Sequence, residues 1–289
     1  MKSVVNEMEF KRYNSAEPFK AAVLPLLLEH ETQNNLLISL ITSSKAVYAR
    51  DWLFATVGGS DGVCLTALCV KPFDLLLFET NNTQNDDALE LLSKKLRSTD
   101  FSAPGVMAES GLARRFSEVF YGAGLYALHM SMVAMRLDRL SDHKKANGTC
   151  RSLESRDLYF APYWERSFSE DCRAKVFSIS ENADRLRTRL GKNTHYIWED
   201  EDGIPVSQAV HGRDTPNSAV INGVYTPPHY RRRGYGTSVV TELSKTLLDN
   251  GRSFCCLFAD AENPASRKMY DNLGFYDVCE IDVYKSGQI

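Results

Sequence analysis

Val224-Tyr225-Thr226-Pro227-Pro228-His229-Tyr230-Arg231-Arg232-Arg233-Gly234-Tyr235-Gly236-Thr237 is the stretch on which the reading of this chain turns. It follows an apolar run, Ala219–Thr226, with the composition of a strand. It leads into residues 236–248, where Val239, Val240, Leu243 and Leu247 recur at helical spacing. Gly234 and Gly236 remove side chains where a backbone must approach something closely. The helix start that follows offers unpaired N–H groups and the positive end of a dipole, an arrangement suited to phosphate. Arg231, Arg232 and Arg233 add positive charge beside it. Taken alone, Gly-x-Gly favours a plain surface loop with a basic helix start.

Other phosphate loops fit worse. A Walker loop needs Gly-Lys-Ser/Thr, and here Thr237 follows Gly236 with no Lys. A dinucleotide fingerprint needs Gly or Ala three residues after the second Gly, and that position is Val239. Working outward, strands are predicted near His195–Glu199 and Val206–Gly212 upstream. Downstream, Phe254–Ala259 is a short apolar run, the pattern of a strand buried on both faces. Asn263 then caps a helix with Pro264 in its first turn, Gly274 stops it, and Phe275–Lys285 reads as a last strand.

In this order the second half resembles the GNAT superfamily of N-acetyltransferases. Arg231 to Gly236 fits that family's Gln/Arg-x-x-Gly-x-Gly/Ala acyl-CoA loop. Asn263-Pro264-Ala265-Ser266-Arg267-Lys268-Met269-Tyr270-Asp271-Asn272-Leu273-Gly274-Phe275 resembles its second motif, Asn-x-x-Ser/Ala-x-x-x-Tyr-x-x-x-Gly-Phe. The resemblance runs from about residue 193 to 285. It implies a mixed sheet with a splayed pair of strands that holds acetyl-CoA as co-substrate. Val224, Tyr225 and Thr226 would face pantetheine through their backbone. Arg231 to Thr237, including Arg232, Arg233, Gly234, Tyr235 and Gly236, would form the pyrophosphate loop. Asn263 and Ser266 would lie near the pantetheine arm, and Tyr270 would protonate the leaving thiolate, with a packed Tyr at a helix end as the plain alternative.

The first half predicts helices over about 18–41 (with Pro25 inside, so one helix or two), 86–96, and from Ser110, read as an N-cap. Strands are predicted at Trp52–Val57, Val63–Val70, Leu75–Phe78 and Leu125–Leu137. Phe120-Tyr121-Gly122-Ala123-Gly124-Leu125-Tyr126 resembles the segment from Met269 to Tyr276 with one gap, which suggests a duplication. At the place of the phosphate loop, however, Thr80–Asp87 has no Gly or Arg, and Asp86 and Asp87 would repel a phosphate. The chain is therefore similar to tandem proteins of the glycine N-acyltransferase-like arrangement. The fold class expected is α/β (α+β), two tandem acyl-CoA N-acyltransferase-like domains, each a mixed, mostly antiparallel sheet flanked by helices. The first, residues 1–140, is degenerate. The second, residues 151–289, is catalytic, and 141–149 is a polar linker. The first domain is expected to bind no CoA and to shape the acceptor site at the junction.

The family reaction is direct transfer of acetyl to an amine. The amine must first lose its charge, since a Lys-type ammonium has a pKa of ~10.4. A backbone N–H near Thr226 would stabilise the thioester oxygen. The base is less legible: Ala219–Thr226 lacks the strand Glu that many family members use. His211, Glu199 and Asp214 are the candidates, with His211 chosen for its ordinary pKa of ~6.5. The missing Glu also leaves open a non-catalytic acyl-CoA sensor. RNA binding is disfavoured, because one Arg run lacks interleaved stacking aromatics.

Composition sets the outer limits. The chain has 289 residues with a formal net charge of −3, which argues against whole-surface nucleic-acid binding. No apolar run suits a membrane span and no secretory signal opens the sequence. Seven Cys with no C-x-x-C spacing support no metal site and suggest a reducing, cytoplasmic setting. Cys255 and Cys256 read as core residues. The partner expected is a small-molecule or peptide amine acceptor, with no nucleic acid and no membrane, and an oligomer is left open.

Overall fold

A computed structural model describes residues 8–43, 51–80, 85–99 and 101–287. The expectation for the first-half loop falls partly on residues 81–84, outside the described residues. The chain divides into two compact units, Met1–Val133 with Cys279–Ile289, and Ala134–Val278. The division falls inside a strand and not in the polar 141–149 stretch. That stretch lies along a helix of the second unit, with Ala146 N–H donating to Ser238 Oγ at 2.8 Å and Lys145 paired with Glu242.

The first unit contains β1 (Glu9–Tyr13), α1 (Ala16–Leu28), α2 (Asn35–Thr42), β2 (Leu53–Gly59), β3 (Gly62–Cys69), β4 (Leu75–Glu79), α3 (Asp86–Arg97), β5 (Gly105–Glu109) and α4 (Ser110–Tyr121). β6 (Tyr126–Leu137) begins there. β1 to β4 pair antiparallel in sequence order, and β4 pairs parallel with β5. Pro25 sits inside α1, and the break between the two first helices falls later, at 29–34. There Asn35 Nδ2 donates to the Thr32 carbonyl at 2.6 Å. The cap of α4 is Glu109, whose carboxylate accepts Leu112 N–H; Ser110 instead donates to Asp282 at 2.6 Å. One apolar core lies between the sheet and α3 and α4, including Leu89, Leu92, Leu112 and Phe116. A second lies under α1 and α2, including Phe19, Leu27 and Ile38.

The second unit repeats the order: β7 (Thr149–Ser152), α5 (Ala161–Asp171), α6 (Ile179–Arg187), β8 (His195–Glu199), β9 (Pro205–Asp214), β10 (Ser218–Tyr225), α7 (Tyr235–Asp249), β11 (Phe254–Asp260) and α8 (Pro264–Leu273). β7 to β10 pair antiparallel in sequence order, and β10 pairs parallel with β11. The last strand, β12 (Tyr276–Ser286), belongs from Cys279 onward to the first unit, where it pairs antiparallel with β5. The two units thus share one sequence of elements and one pattern of strand pairing, as a duplication requires. Among the described residues, no helix is long and apolar enough to cross a membrane.

Candidate functional site

The parallel ladder between β10 and β11 is short. It joins Ser218 to Phe254, Ala219 to Cys255 and Val220 to Cys256, and then the strands part. Ile221 to Thr226 on one side and Leu257 to Asp260 on the other wall a cleft of about 650 Å³. β10 is free to diverge because it is bulged against β9. Asn222 faces Val210 and Tyr225 faces Gln208, so Gly223 and Val224 together oppose Ala209. Gly223 has φ +58°, a backbone that an L side chain rarely adopts. Ser207 Oγ donates to the Tyr225 carbonyl at 3.1 Å and pins the end of the strand.

The mouth of the cleft is the start of α7. Gly234, the N-cap, is left-handed at φ 82°, and it offers no side chain to the helix N–H groups. Those groups therefore stay available, with the dipole's positive end behind them. A Cβ on Gly236 would lie 3.2 Å from Thr226 Oγ1 and 3.5 Å from Met269 Sδ. The two glycines thus form a cradle that side chains would narrow, and the donors present suit an anionic diphosphate.

Most residues expected at the site meet here. Val224, Tyr225, Thr226, Arg231, Arg232, Gly234, Tyr235, Gly236, Thr237, Asn263, Ser266 and Tyr270 all line the cleft. Their work is divided differently from a simple basic patch. The Arg231 guanidinium donates to the Thr226 carbonyl at 2.9 Å and pairs with Asp171 at 2.8 Å, so it ties the loop to α5. Arg232 is exposed and holds a left-handed φ of 62°. Arg233 lies outside the lining, its guanidinium 5.9 Å from the Tyr230 ring. Asn263 Oδ1 accepts Ser266 N–H at 3.1 Å, so both residues build the cap of α8.

Tyr270 is buried in the cleft wall, edge-on to Phe275. Burial, reinforced by neighbouring Cys172, raises its phenol well above the ordinary value, so it keeps its proton at neutral pH. Of the expected bases, none lines the cleft. His211 pairs through Nε2 with Asp214 at 2.7 Å, and Asp214 also takes Arg252. Glu199 is held by Arg151 and Arg156. Cys255 and Cys256 are fully buried, and burial pushes the Cys255 thiol up to about 12.

Sequence reasoning missed α5, which supplies Phe168, Asp171 and Cys172 to the lining. Its signal was present: Phe160, Trp164 and Phe168 recur every four residues, with Pro162 in the first turn. α6 carries a capping box, Ser178 with Glu181, equally readable in advance.

Residues 203–282 match the family described as FR47-like protein. No curated protein sequence matches the chain. Among solved structures, it is similar to a GCN5-related N-acetyltransferase from Sphaerobacter thermophilus, with 13% identity over 96% of this chain and 95% of that one, and a TM-score of 0.63. A GNAT-family acetyltransferase from Colwellia psychrerythraea superimposes with a TM-score of 0.60 at 10% identity, covering 96% and 100%. A tandem GNAT protein of the clavulanic acid biosynthesis pathway gives 0.54 at 10% identity, covering 97% and 98%.

Proposed function

We propose that this chain, similar in fold to GNAT-family acetyltransferases, transfers an acyl group from acyl-CoA to an amine through its second unit. Acetyl is the acyl group we favour, and a small molecule or peptide is the acceptor. The observation that carries the reading is the uncapped start of α7, set at the mouth of the β10–β11 cleft.

The diphosphate of acyl-CoA would rest on the N–H groups of residues 235–237, with Arg232 free to turn toward it. The pantetheine arm would lie along Val224 to Thr226, in the place where the strand ladder is missing. The thioester carbonyl would take a hydrogen bond from backbone freed by the bulge, which favours the charge that develops on its oxygen. The neutral amine attacks the carbonyl carbon, the C–S bond breaks, Tyr270 gives its proton to the departing thiolate, and the proton shed by the new amide nitrogen leaves to solvent, from which the phenol is reprotonated. Burial keeps the phenol protonated beside the cleft, and the transfer goes forward because loss of the thiol and closure of the amide carry it.

The second reading is a non-catalytic acyl-CoA sensor. It is favoured by the absence of a carboxylate or imidazole in the stretch Ile221 to Thr226. Free-thiol release from acetyl-CoA across a panel of amines separates the two. Amine-dependent release supports the transferase. Tight binding by calorimetry with no release on any amine supports the sensor.

A further inference from the structure

On β10 the cleft-lining residues Ile221 to Thr226 include no carboxylate or imidazole, yet Glu165, itself outside the lining, reaches that strand from a helix. The cleft-lining bulge residue Gly223 has no side chain, and a Cβ there would sit 3.8 Å from Glu165 Oε1. Glu165 lies on α5, and its side chain keeps 14% exposure. We propose that Glu165, delivered across the bulge, is the base that takes the proton from the acceptor ammonium. The assignment rests on the acyl-transfer reading above.

The carboxylate is held on one oxygen only. Gln208 Nε2 donates to Oε1 at 3.2 Å and to the Gly223 carbonyl at 3.3 Å, so one amide ties the acid to the bulge. Arg189 approaches the same Oε1 at 3.5 Å. Oε2 has no partner among the described residues. Gln208 is itself fixed by His195. Arg189 can only donate, and it faces His195 Nδ1 at 3.5 Å, so the ring proton sits on Nε2 and is given to Gln208 Oε1 at 3.2 Å. Burial lowers the His195 pKa to about 3, so the ring stays neutral.

The groups around Glu165 come from four directions: Arg189 beyond α6, His195 on β8, Gln208 on β9, and the Gly223 backbone on β10. Asp157 is farther off and neutralised by Arg151. One guanidinium thus faces the acid on its Oε1 side. Two other carboxylates line the cleft: Asp171, which pairs with Arg231, and Asp260, whose Oδ1 accepts the Glu262 N–H.

In the step proposed, an N–H bond of the ammonium breaks and an O–H bond forms at Glu165 Oε2. The freed lone pair attacks the thioester, and the proton later leaves Glu165 to solvent. A base is needed only for an acceptor that arrives charged. The test compares two kinds of acceptor with acetyl-CoA. The charged one is the fastest of glycine, spermidine and lysine amide; the other is hydroxylamine, which is uncharged at neutral pH. Glu165→Gln should lose about 10²–10⁴-fold in kcat/KM on the charged amine. It should stay within about threefold of the wild type on hydroxylamine, with acetyl-CoA affinity unchanged by calorimetry, as expected when only the proton acceptor is gone. Raising the pH should restore the variant's rate on the charged amine.

Equal losses on both acceptors, or no loss, would overturn the assignment. Should Glu165→Gln fail to melt as a folded protein, Glu165→Asp keeps the acid one carbon short. It should then lose rate on the charged amine alone. A wild type that turns over neither acceptor while binding acetyl-CoA sinks the transferase reading itself, and Glu165 with it, before any variant is measured.

Discussion

α3 and α7 start at corresponding places in the two units, each after the strand that pairs parallel with its neighbour. Counted from the N-cap, the first three residues are Asn85, Asp86 and Asp87 in α3, and Gly234, Tyr235 and Gly236 in α7. The Asn85 side chain accepts Ala88 N–H at 3.1 Å and closes the helix end on itself. α7 has no such side chain. The following helices agree in their caps too: Glu109 takes Leu112 N–H and Asn263 takes Ser266 N–H, each at 3.1 Å. Six residues beyond the cap stand Arg115 and Met269, and seven beyond stand Phe116 and Tyr270. Arg115 bridges Glu79 at the end of β4 and Asp86 at the start of α3. Met269 leaves the corresponding space open. In the first unit the cavity against β4 and β5 is only about 20 Å³; in the second it is about 650 Å³. The frame is common to both. What makes one a candidate site is the omission of caps, charges and ion pairs that stabilise the other.

Swapping the residues between the frames breaks the comparison most sharply at the cradle. Gly236→Asp installs the counterpart of Asp87. Two like charges at ~4 Å repel by ~4 kcal/mol at an effective dielectric of ~20, or roughly three decades in affinity. Calorimetry with acetyl-CoA should show that loss in a variant that still melts cooperatively. Unchanged affinity would mean that the diphosphate does not rest on α7.

The next effect concerns chemistry rather than binding. Tyr270→Phe gives the second unit the ring that the first already has at this register, Phe116. Acetyl-CoA affinity should hold while turnover falls about 10²-fold, the low end of what a placed acid contributes. A turnover rate that does not change, where chemistry limits, would return Tyr270 to packing against Phe275.

These contrasts also show what the sequence made legible. The glycine loop before α7, the caps of α8 and most strand positions could be read because they depend on local backbone needs: Gly where φ is positive, Asn at a cap, Pro in a first turn. Arg231 could be placed in the loop but not assigned its task, since its partner Asp171 lies 60 residues away on a helix that the reading passed over. The same distance in sequence hid Glu165, which meets β10 only through the bulge. His211 had suitable chemistry and lies opposite Ile221, but it pairs with Asp214 and does not itself line the cleft. The exchange of β12 into the first unit was equally out of reach, because no local pattern says which sheet a strand completes.

A third variant tests whether the first unit is closed by its own ion pairs. Arg115→Met copies Met269 and strands Glu79, whose side chain is 13% exposed, beside Asp86. Removing one partner of a buried pair costs about 3–5 kcal/mol, and the residual solvent here should bring that to about 2 kcal/mol. Thermal melting should fall accordingly, with acetyl-CoA affinity unaltered.

The smallest effect expected is the most informative about cause. Asp87→Gly gives α3 the residue that α7 carries at Gly236, and it removes one of the charges that would repel a phosphate. An acid in the first turn of a helix is worth about 0.3–1 kcal/mol, so stability should drop by no more than that. No second acyl-CoA site should open. Asn85 still caps the helix, Asp86 and Arg115 still fill its mouth, and the neighbouring cavity of about 20 Å³ has no room for pantetheine. Titration of the variant should therefore still give one acetyl-CoA per chain, as for the wild type. A stoichiometry rising toward two would show that charge alone silences the first unit, and that the ion pairs and the small cavity do not.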